Sequence, residues 1–495
     1  MKKKIFRTVA LSLSLVALVG CGGVGTSNTG GGGDNPGSTG KEILFWHCIG
    51  HDKMNNLQAI IDKFNAEHAK TDGYYVKAEP IAKDYDALHD AVKTKLQAGF
   101  VPSITMGYPD SFSEYIGNAG QEKSKILNLN NFIANDPNFH PETFVPEYYA
   151  EGSGYQYSGV YSLPLYKSTE AMYINMEMFT GTNFYKENKD KSYGDYGAIL
   201  GNPDTWDWDT LIHVGTEVQK ELEGTTDFHA IGYDSDANLF ITQMAQRGIP
   251  YTTKEATKPY EHYLFKDPKT GVMNPELVNF ATDLFDLTQK GILVTKGSYG
   301  SFSSDLFLSK KTMITIGSTG GSVYNDPIGS TNAGFHAGLY AVPAYKGRNN
   351  AKYIMQGPSV CFFNTKDSLK EAAAWEFYSQ YISNAEYNAQ VALENSYDPV
   401  RSTSYDSDAY KKWTSFAGEK GKDNTEVAMA YRIPLLTKTI KDNYYTTDVF
   451  QGSGNARKQM ETIIKKAQGQ QTSLSSKEKI EKALEAVYAA CVSYK

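Results

Sequence analysis

Ile43-Leu44-Phe45-Trp46 is an apolar run of strand length, and the residues after it decide the fold class. Leu57, Ile60, Ile61 and Phe64 recur at the spacing of one buried helix face. Tyr74 to Pro80 reads as a second strand centred on Tyr75 and Val76. Tyr85, Leu88, Val92 and Leu96 predict a second helix, closed by Gly99. Ser103-Ile104-Thr105-Met106 is a third strand, with Gly107-Tyr108-Pro109-Asp110 as the loop at its end. Strands alternating with helices belong to an α/β sheet, where ligand groups gather beyond the carboxyl ends of the strands.

The same alternation returns downstream. Pro203-Asp204-Thr205-Trp206 leads into a helix carrying Leu211, Val214 and Val218, with Thr205 as its expected N-cap. Met313-Ile314-Thr315-Ile316 predicts a strand ending in the turn Gly317 to Gly321. Phe335 to Val342 and Ser359 to Phe363 predict two more, the latter followed by a helix from Leu369 to Ile382. The chain closes on helices over Met460 to Ala467 and Ser476 to Val492.

Upstream, Lys2, Lys3, Lys4 and Arg7 precede a short apolar run from Val9 to Val19, and Cys21 follows small residues. These are the parts of a secretory signal over residues 1–20, and the cysteine sits where a bacterial lipobox places its lipidated residue. Two or three acyl chains at Cys21 hold a membrane at roughly 0.8 kcal/mol per buried methylene. Residues 22–40 are mostly Gly, Ser, Thr and Asn, a tether too polar to bury a core. The expected location is extracytoplasmic.

Residues 41–495 are too many for one simple core and predict two domains. The formal net charge of −7 disfavours nucleic acid, which needs a basic footprint. After Cys21, only Cys48, Cys361 and Cys491 remain, and no two have metal-ligand spacing. The 35 Tyr, 23 Phe and 5 Trp stand out, because ring faces stack on sugar C–H surfaces while Tyr and Trp edges hydrogen-bond. Neither His-Glu-x-x-His nor Gly-x-Ser-x-Gly occurs. The acidic pairs Asp207/Asp209 and Asp234/Asp236 read as solvated loop charges rather than glycosidase carboxylates. Neither an enzyme nor an adhesin is favoured.

Several segments, in order, resemble the extracellular solute-binding proteins of ABC importers, in the branch of maltose- and glycerol-3-phosphate-binding proteins. They are Phe45-Trp46-His47 and Phe64 to Glu67; Tyr85 with Ala98 to Pro102; Tyr161-Ser162-Leu163-Pro164 through Ser168-Thr169 to Tyr173-Ile174-Asn175 and Phe179; Pro203 to Trp206; Met313 to Ser318; Gly357-Pro358-Ser359; and Tyr397-Asp398-Pro399-Val400-Arg401. The resemblance implies a two-lobed α/β fold of the type II periplasmic-binding-protein kind, with a hinge and an interlobe cleft. The expected lobes are 41–169 plus 346–394 and 170–345 plus 395–495. Crossings are expected near Glu170 to Tyr173, near Val342 to Tyr345 and near Leu393.

A monomer that captures a neutral sugar and hands it to permease subunits is implied. Such a site needs no catalytic residue, cofactor or metal, only rings and hydrogen-bonding groups. The expected contacts are Trp46, His47, Tyr85, Tyr108, Asp110, Ser168, Asp234, Ser318, Gly320, Gly357, Tyr397, Arg401 and Phe450. The resemblance puts Phe450 at the position where glycerol-3-phosphate binders carry an arginine, which favours a neutral ligand, although Arg401 or Arg457 would serve as a substitute for a phosphate. A glycerol-3-phosphate or glycerophosphodiester ligand is the alternative.

Overall fold

Why the first strand forms is visible in its burial: Ile43, Phe45 and Trp46 are buried within β1, Glu42–His47. The computed structural model describes residues 40–116, 124–329 and 333–494. The signal, Cys21 and nearly all of the tether lie outside them. Helix α1, Asn55–His68, buries Leu57, Ile60, Ile61 and Phe64, as the spacing predicts. Strand β2, Tyr75–Pro80, lies parallel to β1. Helix α2, Tyr85–Gln97, begins where the Asp84 side chain accepts the Ala87 N–H, and it buries Leu88, Val92 and Leu96. Gly99 follows with φ +87°, the left-handed turn that returns the chain to the sheet. Strand β3, Ile104–Gly107, pairs parallel with β1.

Strand Ser359–Phe362 runs antiparallel to β3 and to the short β4, Leu163–Pro164, and completes a five-stranded sheet. The second five-stranded sheet centres on β5, Glu170–Asn175, and strand Thr312–Ser318, which pair antiparallel. Ala337–Ala341 flanks β5, while His229–Tyr233 and Leu293–Thr295 add parallel strands on the other side. Each sheet anchors one lobe of a two-lobed α/β fold.

Three segments run side by side between the sheets. Lys167 and Asp398 exchange backbone bonds at 3.0 and 2.6 Å, and Ser168 and Gln356 exchange them at 2.9 and 2.8 Å. β5 and Ala337–Ala341 are full members of the second sheet, so Glu170 to Tyr173 are strand residues there. Under them, the buried Lys167 ammonium pairs with Glu151 and donates to Gly357 O at 3.1 Å and Ser359 Oγ at 3.0 Å.

Local details depart from the sequence expectations. Thr205 does not cap the helix Trp208–Glu221; Asp207 does, accepting from Thr210 N–H at 2.8 Å, while Thr205 closes the preceding turn. Asp236 and Asn238 lie in the helix Asp236–Arg247, capped by Ser235, rather than in a loop. The glycine-rich turn winds into a 3-10 helix, Thr319–Asn325, and the helix after Ser359–Phe362 changes to π geometry over Phe377–Ile382.

Candidate functional site

Tyr108 follows the end of β3, Ser235 follows the end of His229–Tyr233, and both line one cavity of ≈ 380 Å³. Asp86 and His89 reach it from α2, and Asp110 and Glu114 from α3, Pro109–Ile116. Glu151 and Gln356 contribute from the hinge, and Arg457 and Lys458 from the helix Ser453–Met460. That helix ties the two sides together. Ser453 donates to Asp110, and Arg457 donates to the Asn238 side-chain carbonyl.

A chain of hydrogen bonds sets the Arg457 guanidinium. Asn238 Nδ2 donates to Glu170 Oε1 at 2.7 Å, and Tyr233 OH donates to Glu170 Oε2 at 2.5 Å. Burial pushes the Glu170 carboxyl up to about 7, against those two bonds and the Arg457 charge. Asp110 is raised by burial too, with Ser453 and Arg457 opposing. Glu114 goes the other way: burial would raise it, but hydrogen bonds from His89, Lys93 and Tyr494 outweigh burial and hold it near about 2.

Beside the cavity stands a cluster of tyrosines. The Tyr85 and Tyr108 rings meet edge-on at 4.7 Å, and those of Tyr166 and Tyr397 are tilted by 36° at 4.5 Å. The Tyr85 and Tyr397 hydroxyls lie 3.3 Å apart. Gly320 faces this cluster: a Cβ there would stand 2.8 Å from the Tyr397 ring. Ring faces, phenol edges, an oriented guanidinium and several carboxylates suit a polar solute with apolar faces.

Residues 59–418 match the family model described as bacterial extracellular solute-binding protein. The chain belongs to that family. No curated protein matches the sequence closely enough to count as a relative. Solved structures of the same fold include the GacH receptor of Streptomyces glaucescens, solved unliganded and with acarbose (15% identity, TM-score 0.62, 92% of this chain and 99% of that one). UgpB from Mycobacterium tuberculosis in complex with glycerophosphocholine is similar at 16% identity and TM-score 0.63, covering 92% and 98%. The cyclic alpha-maltosyl-1,6-maltose binding protein from Arthrobacter globiformis gives 16% and 0.62, covering 91% and 99%.

Within this solute-binding protein, Tyr85, Tyr108, Asp110, Tyr397 and Gly320 come together, with Ser318 just before Gly320 at its strand's end. Other expected contacts are placed elsewhere. Trp46 is core, 2% exposed, with the Lys95 ammonium 5.2 Å from its ring centroid. His47 is buried, accepts Ile49 N–H at 3.1 Å, and is pushed down to about 4 by burial. Ser168 is a buried crossing residue. Asp234 accepts from Ser303 Oγ and Ser304 N, both at 2.9 Å.

Three further expected contacts do not line the cavity. The Gly357 backbone closes on Tyr166 O and Lys167 Cα, leaving no room for a Cβ, so its close approach is to the hinge rather than to a ligand. Arg401 is buried away from the cavity, bonded to Ser383, His140 and Thr143 and packed on Phe144 at 4.2 Å. Phe450 is 0% exposed and stacks on His262 at 4.2 Å, because the chain turns inward before Gly452.

Sequence reasoning missed Gln356, His89 and Glu114, passed over Tyr166, which at 2% exposed backs Tyr397, and weighed Arg457 only as a substitute. Tyr166 sits two residues before Ser168, so its signal was in reach. Gln356 joins the site through a crossing pair, and His89 and Glu114 through helix faces, which only the tertiary structure orients.

Proposed function

We propose that this solute-binding protein captures a neutral sugar or oligosaccharide between its lobes and passes it to the permease subunits of an ABC importer. The tyrosine cluster of Tyr85, Tyr108 and Tyr397, backed by the buried Tyr166, carries this reading. Burying roughly 100 Å² of ring and sugar surface contributes about 2.5 kcal/mol at 25 cal/mol per Å². Each hydroxyl bond adds about 0.5–1.5 kcal/mol net. Contacts to both lobes stabilise only the closed state, which gives the importer a shape to recognise. The acarbose and cyclic-maltosyl ligands of two similar structures support a saccharide.

A second reading, a glycerophosphodiester, is favoured by Arg457, which lines the cavity where Phe450 does not. Asp110 and Glu170 already answer the Arg457 charge, which favours the neutral ligand. A thermal-shift screen over mono- and oligosaccharides, glycerol-3-phosphate and glycerophosphocholine separates the two. Neutral saccharides are expected to raise the melting temperature. Stabilisation by the phosphates alone would establish the second reading.

The proposed lobes are 41–169 plus 346–394 and 170–345 plus 395–495, in a monomer. Cys21 is the proposed lipid anchor, with residues 22–40 as tether. Among the described residues no helix is long and apolar enough to cross a membrane. Cys21→Ser is expected to release the protein from the membrane fraction; retention there would remove the anchor.

A further inference from the structure

Next to the cleft, behind Tyr397, Asp398 Oδ2 is a buried carboxyl oxygen with no hydrogen-bond partner among the described residues, and the phenols of Tyr148, Tyr405 and Tyr444 are buried around it. They come from different elements. Tyr148 lies on the helix Pro146–Ala150, Tyr405 on the 3-10 turn Ser402–Asp406, and Tyr444 on the strand Tyr444–Tyr445. The Tyr148 and Tyr444 rings stack at 5.6 Å. All three phenols, and Tyr410, feel the charge of Asp398. Folded proteins leave few buried polar atoms unmatched, so an unmatched carboxyl oxygen among buried phenols demands a cause. Two open hollows on the surface, one at Trp375 and Gln380 and one at Tyr193 and His213, hold no such atom among the described residues.

Asp398 is part of the hinge itself. Its N–H and C=O exchange bonds with Lys167 in the crossing, and its neighbour Tyr397 reaches the tyrosine cluster. Its side chain, 1% exposed, accepts one bond, from Thr437 Oγ1 at 2.6 Å. The surrounding cations are committed elsewhere. The Lys167 ammonium is held by Glu151, Gly357 and Ser359. Lys438 lies over the Tyr410 and Tyr405 rings at 5.6 and 5.9 Å from their centroids. An ionised carboxylate in this place is buried without a counter-ion, which is costly. Burial accordingly pushes Asp398 up to about 7, with the Thr437 bond opposing.

We propose that Asp398 is a proton-binding site that sets the hinge. Protonated, the carboxyl is neutral in its buried place and keeps its Thr437 bond, and the crossing stays paired with Lys167. When the proton leaves to solvent, a charge is left buried without a counter-ion, and the crossing loosens together with Tyr397. Because the folded value lies above the unfolded one, this contribution is complete below about pH 4 and is lost as pH rises through about 7. Solute retention therefore weakens from mildly acid to mildly alkaline pH, whichever solute the cleft holds.

Hydrogen exchange on the intact protein tests this without a ligand. Peptides spanning 163–170 and 393–400 are followed at about pH 6 and about pH 8.5, corrected for intrinsic exchange and referenced to the strand Thr312–Ser318. The hinge peptides are expected to lose about tenfold protection at the higher pH, the effect of one pKa unit. Asp398→Asn is expected to abolish the difference, and Thr437→Val to move it to higher pH. Equal protection at both values in the wild type overturns the proposal even if the Asn variant does not fold. So does an Asn variant that keeps the wild-type pH response.

Discussion

The hydroxyls of Tyr85 and Tyr397, 312 residues apart in sequence, meet at 3.3 Å. One opens the second helix of the first lobe; the other lies on a crossing strand. A ligand bonded by either hydroxyl is thereby read by both. Tyr85→Phe and Tyr397→Phe are each expected to weaken capture of a saccharide found in the thermal screen by about three- to tenfold, in line with about 0.5–1.5 kcal/mol per bond. The double variant should lose less than the product of the two, since contacting residues are not additive. Titration calorimetry on the three variants checks this, and strict additivity would separate the two hydroxyls.

Two glycines make opposite predictions. A Cβ at Gly320 meets the Tyr397 ring at 2.8 Å, and a half-buried ring can shift. Gly320→Ala is expected to cost affinity about tenfold with little loss of stability. A Cβ at Gly357 meets Tyr166 O at 2.8 Å and Lys167 Cα at 2.9 Å, both backbone, at φ +98°. Gly357→Ala therefore strains the hinge and should lower stability by about 2 kcal/mol or more. Urea unfolding with parallel binding measurements distinguishes the two outcomes.

The strand and helix order from Ile43 to Asp110 was legible because burial there follows simple periodicity: Leu57 to Phe64 and Leu88 to Leu96 point inward at helical spacing. Tyr108 was legible as a candidate because it stands at a strand end, and Tyr85 and Tyr397 because they match ligand tyrosines of the resembling family. What stayed hidden depends on contacts distant in sequence. Gln356 joins the site through its pairing with Ser168, and Arg457 through Asn238. Phe450 and Arg401 misled for the same reason: an aromatic or an arginine in a polar stretch looks available until His262 or Ser383 is found packed on it. Asp207 displaced Thr205 as N-cap because the chain makes one more turn, Pro203–Thr205, before the helix begins.

Buried titrating groups give opposing pH signatures. His47 is pushed down to about 4 by burial, so its contribution is present above about 6.5 and lost as pH falls through about 4. Glu170 is raised to about 7, so its contribution is present below about 4.5 and lost as pH rises through about 7. The melting-temperature gap between wild type and His47→Gln should therefore be wider at about pH 8 than at about pH 4. The gap to Glu170→Gln should be wider at about pH 5 than at about pH 8. Gaps that do not change with pH would mean that neither group titrates in the folded protein as its burial requires.

Phe450 and Arg457 lie seven residues apart in sequence and have separate tasks. The Phe450 ring is 0% exposed, lies parallel to His262 within 4° and packs edge-on to Tyr263. Phe450→Ala is expected to cost about 3–5 kcal/mol of stability, the usual loss for a buried aromatic. It should leave the ranking of ligands in the thermal screen unchanged, because the ring does not line the cavity. Arg457 does line it, and its guanidinium is aimed by Asn238, which is aimed by Glu170. Arg457→Gln removes a partly exposed side chain and should change stability by only about 1 kcal/mol. It should nevertheless weaken capture about tenfold or more, because the remaining amide carries no charge and reaches fewer acceptors. A screen in which Phe450→Ala reorders the ligands while Arg457→Gln leaves them untouched would move the binding surface away from this cavity and onto the far side of the Ser453–Met460 helix.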